Sequence, residues 1–174
     1  KMPFPDVIIA IGGGVVLDTA KMLRYALTKE QRHAELVLIP STAGTGSEST
    51  SFAVIYDDNK LKKTIDNKIL LPDIIIHAPE LLMTLTKEYR ISSGFDALAQ
   101  AIESLWSIHS TPDSRRYAIE SITIINEHLI DHVTTQNKTS AAYMQKAAYL
   151  SGKAINISYT TLAHALSYPL TSKF

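Results

Sequence analysis

Apolar residues along this chain follow two different periods, and the change comes near residue 85. Before it, short unbroken apolar runs alternate with one helical pattern. Residues 6–11 read Asp-Val-Ile-Ile-Ala-Ile, the run expected of a parallel strand covered on both faces, and it ends at three glycines. Val16, Ala20, Leu23 and Leu27 then recur at helical spacing among good helix formers, which predicts a helix over 16–27. A second buried strand is expected over 36–39, running into Pro40. Further strands are expected over 51–56 and 62–66, around a turn at 57–59, with a last one over 73–76. Strand, helix and strand in this order predict a parallel α/β sheet.

Past residue 85 the apolar positions recur at three and four, which predicts helices over 89–106, 112–129, 140–157 and 160–168. Thr111 before Pro112 is a good N-cap followed by the residue best suited to the first helical position, and Asp113 adds favourable charge. No linker, repeat or low-complexity tract separates the halves. They are expected to pack on each other, with a ligand cleft between them.

Composition narrows the function classes. With 174 residues, 45% apolar, 20% charged, and 17 basic against 17 acidic side chains, the chain is neither disordered, collagen-like nor built to hold nucleic acid. Its longest apolar stretches fall far short of the roughly 20 residues of a membrane span. There is no cysteine, which excludes disulfides, thiolate zinc sites and a cysteine nucleophile, and suits a cytoplasmic setting. Any metal must use imidazole, carboxylate, amide oxygen or water. Both ends read as cut, since a strand pattern follows Lys1 to Pro5 directly and Phe174 follows an apolar helical stretch; a piece of a longer polypeptide is expected.

Three groups of residues carry chemistry. Gly12-Gly13-Gly14 stands at a strand-to-helix junction, followed by Asp18 and Lys21. Glycine lets the backbone come close to a ligand, and the helix end that follows offers free N–H groups to an anion; the plain alternative is a tight βα turn. The second group is the loop Ser41-Thr-Ala-Gly-Thr-Gly-Ser47 with Glu48, again at the end of a buried strand. Each is weak alone, but two anion-friendly loops on one sheet edge favour a nucleotide. The third group lies in the helical half, where Asp96 and Gln100, and likewise His164 and Tyr168, stand four apart on one helix face. A core pair is the plain reading of each. His109, His128 and His132 have charged neighbours and read as residues of a solvated face.

Together Gly12-Gly-Gly with Asp18 and Lys21, Pro40-Ser-Thr-Ala-Gly-Thr-Gly-Ser-Glu48, Gly94-Phe-Asp-Ala-Leu with Ala101 and Glu103, and His164-Ala-Leu-Ser resemble the iron-containing (group III) alcohol dehydrogenases in order and spacing. The resemblance implies an α/β fold, with a Rossmann-like parallel-sheet domain over 1–85 that binds NAD(H) or NADP(H). An all-α helical domain over 86–174 would hold a divalent metal, Fe²⁺ or Zn²⁺. It implies cofactor contacts at Gly12, Gly13, Gly14, Val15, Val16 and Asp18, at Thr42, Ala43, Gly44, Thr45, Gly46 and Ser47, and at Val54 and Lys63. Val15 stands where the family usually has serine. The implied metal ligands are Asp96, Gln100 and His164, with Gln100 in place of the usual histidine, a neutral amide that should weaken the site. His164 and Tyr168 are the implied catalytic residues.

The activity so implied is hydride transfer between the cofactor and a small aldehyde or alcohol. Residues 99–111 and 164–168 are similar to the phosphonoacetaldehyde reductase branch, for which Lys153 and Arg115 are candidate partners of a charged substrate. A dehydroquinate-synthase-like lyase and a catalytically inactive dinucleotide-binding protein stay open as alternatives. The expected partner is a small molecule rather than nucleic acid or membrane, and a homo-oligomer is left open.

Overall fold

Strand β1 (Val7–Gly12) pairs in parallel with β2 (Glu35–Pro40), which pairs in parallel with the short β5 (Ile74–Ile75), in the order β1-β2-β5. These are elements of a computed structural model that describes residues 4–56 and 62–173. Helix α1 (Gly14–Lys29) crosses between β1 and β2 and buries Leu17, Ala20 and Leu27 against Ile8, Ala10, Leu36 and Leu38. That is the βαβ unit the apolar run and the helical period predict.

The next two strands depart from the parallel expectation. β3 (Phe52–Tyr56) and β4 (Lys62–Asp66) pair antiparallel as a separate ribbon, in register Phe52 with Asp66 and Tyr56 with Lys62. A connection this short joins antiparallel neighbours, because a parallel partner needs a crossover of a dozen or more residues. The turn expected at 57–59 lies outside the described residues.

The remainder is helical: α2 (Pro79–Leu82), α3 (Lys87–Trp106), α4 (Pro112–Thr134), α5 (Lys138–Ser158) and α6 (Leu162–Lys173). Thr111 caps α4 as expected, in a reciprocal capping box with Ser114. The faces of α3, α4 and α5 that meet are rich in alanine (Ala97, Ala101, Ala118, Ala141, Ala147, Ala148, Ala154), all buried. Small side chains let the helix axes come close, and Ile124, Ile125, Met144 and Leu150 fill what remains. Among the described residues no helix is long and apolar enough to cross a membrane.

The halves are joined through the 41–50 loop. Gly46 takes φ +59°, and a β-carbon there would stand 2.6 Å from Gly152 Cα on α5. Ser49 Oγ donates to Tyr149 O (3.0 Å), Ser51 N to Asn156 Oδ1 (2.6 Å), and Gln145 Nε2 to Pro40 O (2.9 Å). Helix α5 therefore carries the loop that follows β2.

Candidate active site

Both glycine-containing turns leave the same edge of the parallel sheet, because β1 and β2 are adjacent and run the same way. They touch: a β-carbon on Gly13 would lie 3.3 Å from Thr42 Cγ2, and one on Gly14 would lie 2.8 Å from Thr45 Cγ2. Gly13 caps α1 through its backbone, accepting from Val16 and Leu17 N–H, so the N-terminal end of α1 opens beside the threonine loop. Such an end favours an anion.

A cavity of about 530 Å³ starts there and runs to the helical half. Gly14, Val15, Asp18, Thr45 and Ser47 line one end, Val54 and Ile55 of the ribbon one side, and Asp96, Gln100 and His164 the far end. Of the expected cofactor positions, Gly12, Gly13, Val16, Thr42, Ala43, Gly44, Gly46 and Lys63 do not line it. Ala43 is fully buried in the helical core, and Gly44 lies against the Ser93 backbone, 2.9 Å from a β-carbon built on it. Ala43 and Gly44 shape the loop from behind. The Tyr168 side chain lies outside the described residues.

Asp18 lines the cavity, yet its oxygens are taken. Oδ1 accepts from Ser47 Oγ (2.6 Å) and Oδ2 from Val54 N (2.9 Å), while Lys21 Nζ stands 3.8 Å from Oδ1. Lys21 is fully buried and donates to Thr50 O, Thr50 Oγ1 and Phe52 O at 2.9–3.0 Å. Burial pulls its pKa down to about 8, against the opposing charges of Asp18 and Glu48. Asp18 and Lys21 thus pin the threonine loop and the β3 ribbon onto α1. Glu48, also buried, is pushed up to about 7 by desolvation, which its own backbone hydrogen bond and Lys21 only partly offset.

At the far end, His164 Nε2 and Asp96 Oδ1 are 3.5 Å apart, and His164 Nδ1 contacts Glu103 Oε1. The Asp96 contact above all, with Glu103, raises the His164 pKa against the lowering effect of burial. Gln100 is 5% exposed and its Oε1 accepts from Ser151 Oγ (3.3 Å). Two ligands about 2.1 Å from one tetrahedral ion are about 3.4 Å apart, so the Asp96–His164 separation fits a shared divalent cation, and a carboxylate behind a metal-bound imidazole is the usual support. Among the described residues no group of three or more His, Cys, Asp or Glu has metal-holding geometry. Asp96, His164 and Gln100 are thus two ionisable groups and one neutral amide lining one cavity, and the spacing of the first two is compatible with an ion between them.

In the sequence Glu103 stands out only as the end of the segment that opens Gly94-Phe-Asp-Ala-Leu. The signal that singles it out is Asp96, Gln100 and Glu103 at i, i+4 and i+7, a polar stripe on an otherwise alanine-rich helix face. The two candidate substrate cations lie elsewhere. Lys153 stacks over the Tyr117 and Tyr149 rings (4.7 and 5.5 Å) in a separate cavity of about 350 Å³, and Arg115 Nε donates to Ser110 Oγ on the surface. Among the described residues no Lys or Arg lines the larger cavity. His132, expected on a solvated face, is 1% exposed beside Arg90, and His128 stacks on Tyr143 with centroids 4.0 Å apart.

Comparisons with known proteins point to one family and one fold. Residues 3–79 match the family model described as iron-containing alcohol dehydrogenase, and residues 90–174 match that of the Fe-containing alcohol dehydrogenase family, C-terminal. A phosphonoacetaldehyde reductase of Streptomyces viridochromogenes is 36% identical over 95% of this chain and 48% of its own length. An NAD-dependent methanol dehydrogenase of Bacillus methanolicus is 33% identical over 94% of this chain and 47% of its own. Among solved structures, an iron-containing alcohol dehydrogenase of Thermotoga maritima superposes with TM-score 0.88 at 33% identity, over 96% of this chain and 49% of that one. A sulfoacetaldehyde reductase of Bifidobacterium kashiwanohense in complex with NAD⁺ gives 0.89 at 28% identity, over 96% and 49%. The chain spans about half the length of the curated relatives it matches.

Proposed function

The chain belongs to the iron-containing alcohol dehydrogenase family, and on that premise we propose that it takes part in NAD(P)-dependent hydride transfer between a nicotinamide and a small aldehyde or its alcohol. The observation that carries this reading is the single cavity that joins the two glycine-threonine turns to the Asp96–His164 pair. Residues 1–85 supply the dinucleotide end and 86–174 the reacting end. The α1 N-terminus, with Gly14 and Val15, and the Thr45 and Ser47 turn beside it form a cradle for a diphosphate. Val54 and Ile55 wall the middle, where a flat ring can lie against apolar surface. Asp96 and His164, with Gln100 beside them, would hold a divalent ion, and the burial of Gln100 with its bond to Ser151 keeps that amide oriented. When bound, the nicotinamide supplies the hydride and the ion a Lewis acid for the carbonyl oxygen. What the chain itself contributes is alignment: the 41–50 loop is hydrogen-bonded to α1 through Ser47 and Asp18, and both the loop and α3 are hydrogen-bonded to α5, so the two ends of the reaction share one frame.

Among short aldehydes, phosphonoacetaldehyde, named in the Streptomyces relative, is the first candidate, to give 2-hydroxyethylphosphonate. Its charge would have to be met by groups other than Lys153 and Arg115. The test is titration with NADH and NADPH followed by turnover with acetaldehyde, propanal and phosphonoacetaldehyde. Saturable binding with oxidation of the reduced cofactor is expected. Binding without turnover of any aldehyde would refute the dehydrogenase reading and leave a dinucleotide-binding protein.

A further inference from the structure

Glu103 stands two turns along α3 from Asp96 and is 1% exposed. Its Oε2 accepts from both the backbone N–H and the hydroxyl (2.6 Å) of Thr161, and its Oε1 faces His164 Nδ1. Thr161 Oγ1 also accepts from Trp106 Nε1 (3.1 Å), and Ser158 Oγ meets Ser104 Oγ at 2.7 Å. One face of α3 therefore grips the junction between α5 and α6, where Tyr159 sits in the left-handed region at φ +59°. Glu103 is the charged member of that grip, and it reaches the site directly.

A carboxylate has no hydrogen to offer, so a neutral imidazole between two of them places its single N–H toward the closer one, and the Glu103 contact at Nδ1 is shorter than the 3.5 Å from Nε2 to Asp96. The two Thr161 donors lock Oε2, which keeps the carboxylate plane turned toward the ring. Resting on the reading of His164 as a site residue, we propose that Glu103 is a positioning residue that fixes His164 in the Nδ1–H tautomer and turns the Nε2 lone pair toward Asp96 and the cavity. The same carboxylate closes the first turn of α6, whose Ala165 N–H bonds back to Thr161 O. Helix position and ring orientation are thus set by one group. A merely structural Glu103 would anchor α6 and leave the tautomer free.

The experiment is nitrogen-15 NMR of the His164 ring in the metal-free full chain, at a pH where the imidazole is neutral, with Zn²⁺ affinity by calorimetry on the same samples. The parent is expected in the Nδ1–H form. Glu103→Gln, whose amide can present N–H to the ring, is expected to move His164 to the Nε2–H form and weaken Zn²⁺ binding by about 10–100-fold. Glu103→Asp keeps the charge and is expected to keep the Nδ1–H tautomer. Thr161→Val removes the hydroxyl donor but keeps the backbone N–H on Oε2, which holds the carboxylate toward the ring, and is expected to leave tautomer and affinity near the parent values. An Nε2–H parent, an unchanged tautomer and affinity in Glu103→Gln, or an equal change in Thr161→Val would each overturn the proposal. The parent tautomer decides the matter even if a variant fails to fold. Absence of cofactor binding would sink the dehydrogenase reading and leave the tautomer result standing.

Discussion

Replacing Asp18 by alanine separates a scaffold residue from a ligand contact. The carboxylate holds Ser47 Oγ at 2.6 Å and Val54 N at 2.9 Å, and it lies 3.8 Å from the Nζ of a fully buried lysine. Each hydrogen bond to a charged acceptor contributes about 1.5–3 kcal/mol, and stripping one partner from a buried ion pair costs about 3–5 kcal/mol. The terms overlap, because the same carboxylate makes all three contacts, so the expected loss is about 3–5 kcal/mol rather than their sum. For a chain of this size that corresponds to a fall in Tm of roughly 6–20 °C. Asp18→Asn keeps one acceptor oxygen and should lose less. The assay is thermal and urea unfolding, with NADH titration of whatever folds. A Tm within about 2 °C of the parent, or weaker NADH binding at unchanged stability, would refute the scaffold reasoning and return Asp18 to the ligand contacts.

Gly46→Ala forces a β-carbon into the left-handed region and against Gly152, and should destabilise by about 2–5 kcal/mol in urea unfolding; a neutral result would mean that the Gly46–Gly152 contact relaxes freely. Gln100→His puts an imidazole beside Asp96 and His164 and should tighten Zn²⁺ binding on the order of tenfold by calorimetry; unchanged affinity would place Gln100 outside the ligand set. Two buried groups give opposing pH slopes. Burial, helped by Arg90, lowers His132 from 6.5 to about 4, so acidification from pH 6.5 to 4 protonates the unfolded chain first and costs stability. Glu48, raised from 4.5 to about 7, keeps its proton longer in the folded state, so acidification from pH 7 to 4.5 adds stability. Each is worth up to about 3 kcal/mol, so on acidification His132→Leu should gain stability relative to the parent and Glu48→Gln should lose it. Urea midpoints at pH 6.5 and 4.5 that move in parallel for both variants would contradict this.

What was legible in the sequence was what neighbouring residues decide. The β-branched run of β1, the helical period of α1, the Thr111-Pro112 start of α4 and the alanine-rich later helices all follow from local pattern, with ends within a few residues except where α4 and α6 run about five residues past the expected stop. Helix α1 begins two residues early because Gly13 caps through its backbone, which no side chain announces. The site was legible only as candidates. Ser47 and Val54, which occupy Asp18, lie 29 and 36 residues away, so nothing near Asp18 signals that its oxygens are consumed. His132 looked solvated because Asp131 adjoins it, but its helix face is the one that packs beside Arg90. Glu103 gains its role from Thr161 and His164 across a turn between two other helices. Tertiary pairing, not propensity, decided each of these.

The measurement closest to the central claim is a crystal structure of the protein soaked with NAD⁺. The dinucleotide should lie in the 530 Å³ cavity with its diphosphate against Gly14 and Thr45 and C4 of the nicotinamide facing Asp96 and His164. A dinucleotide seated instead in the cavity between Tyr117, Tyr149 and Lys153, or reversed so that its adenine meets His164, would contradict the account.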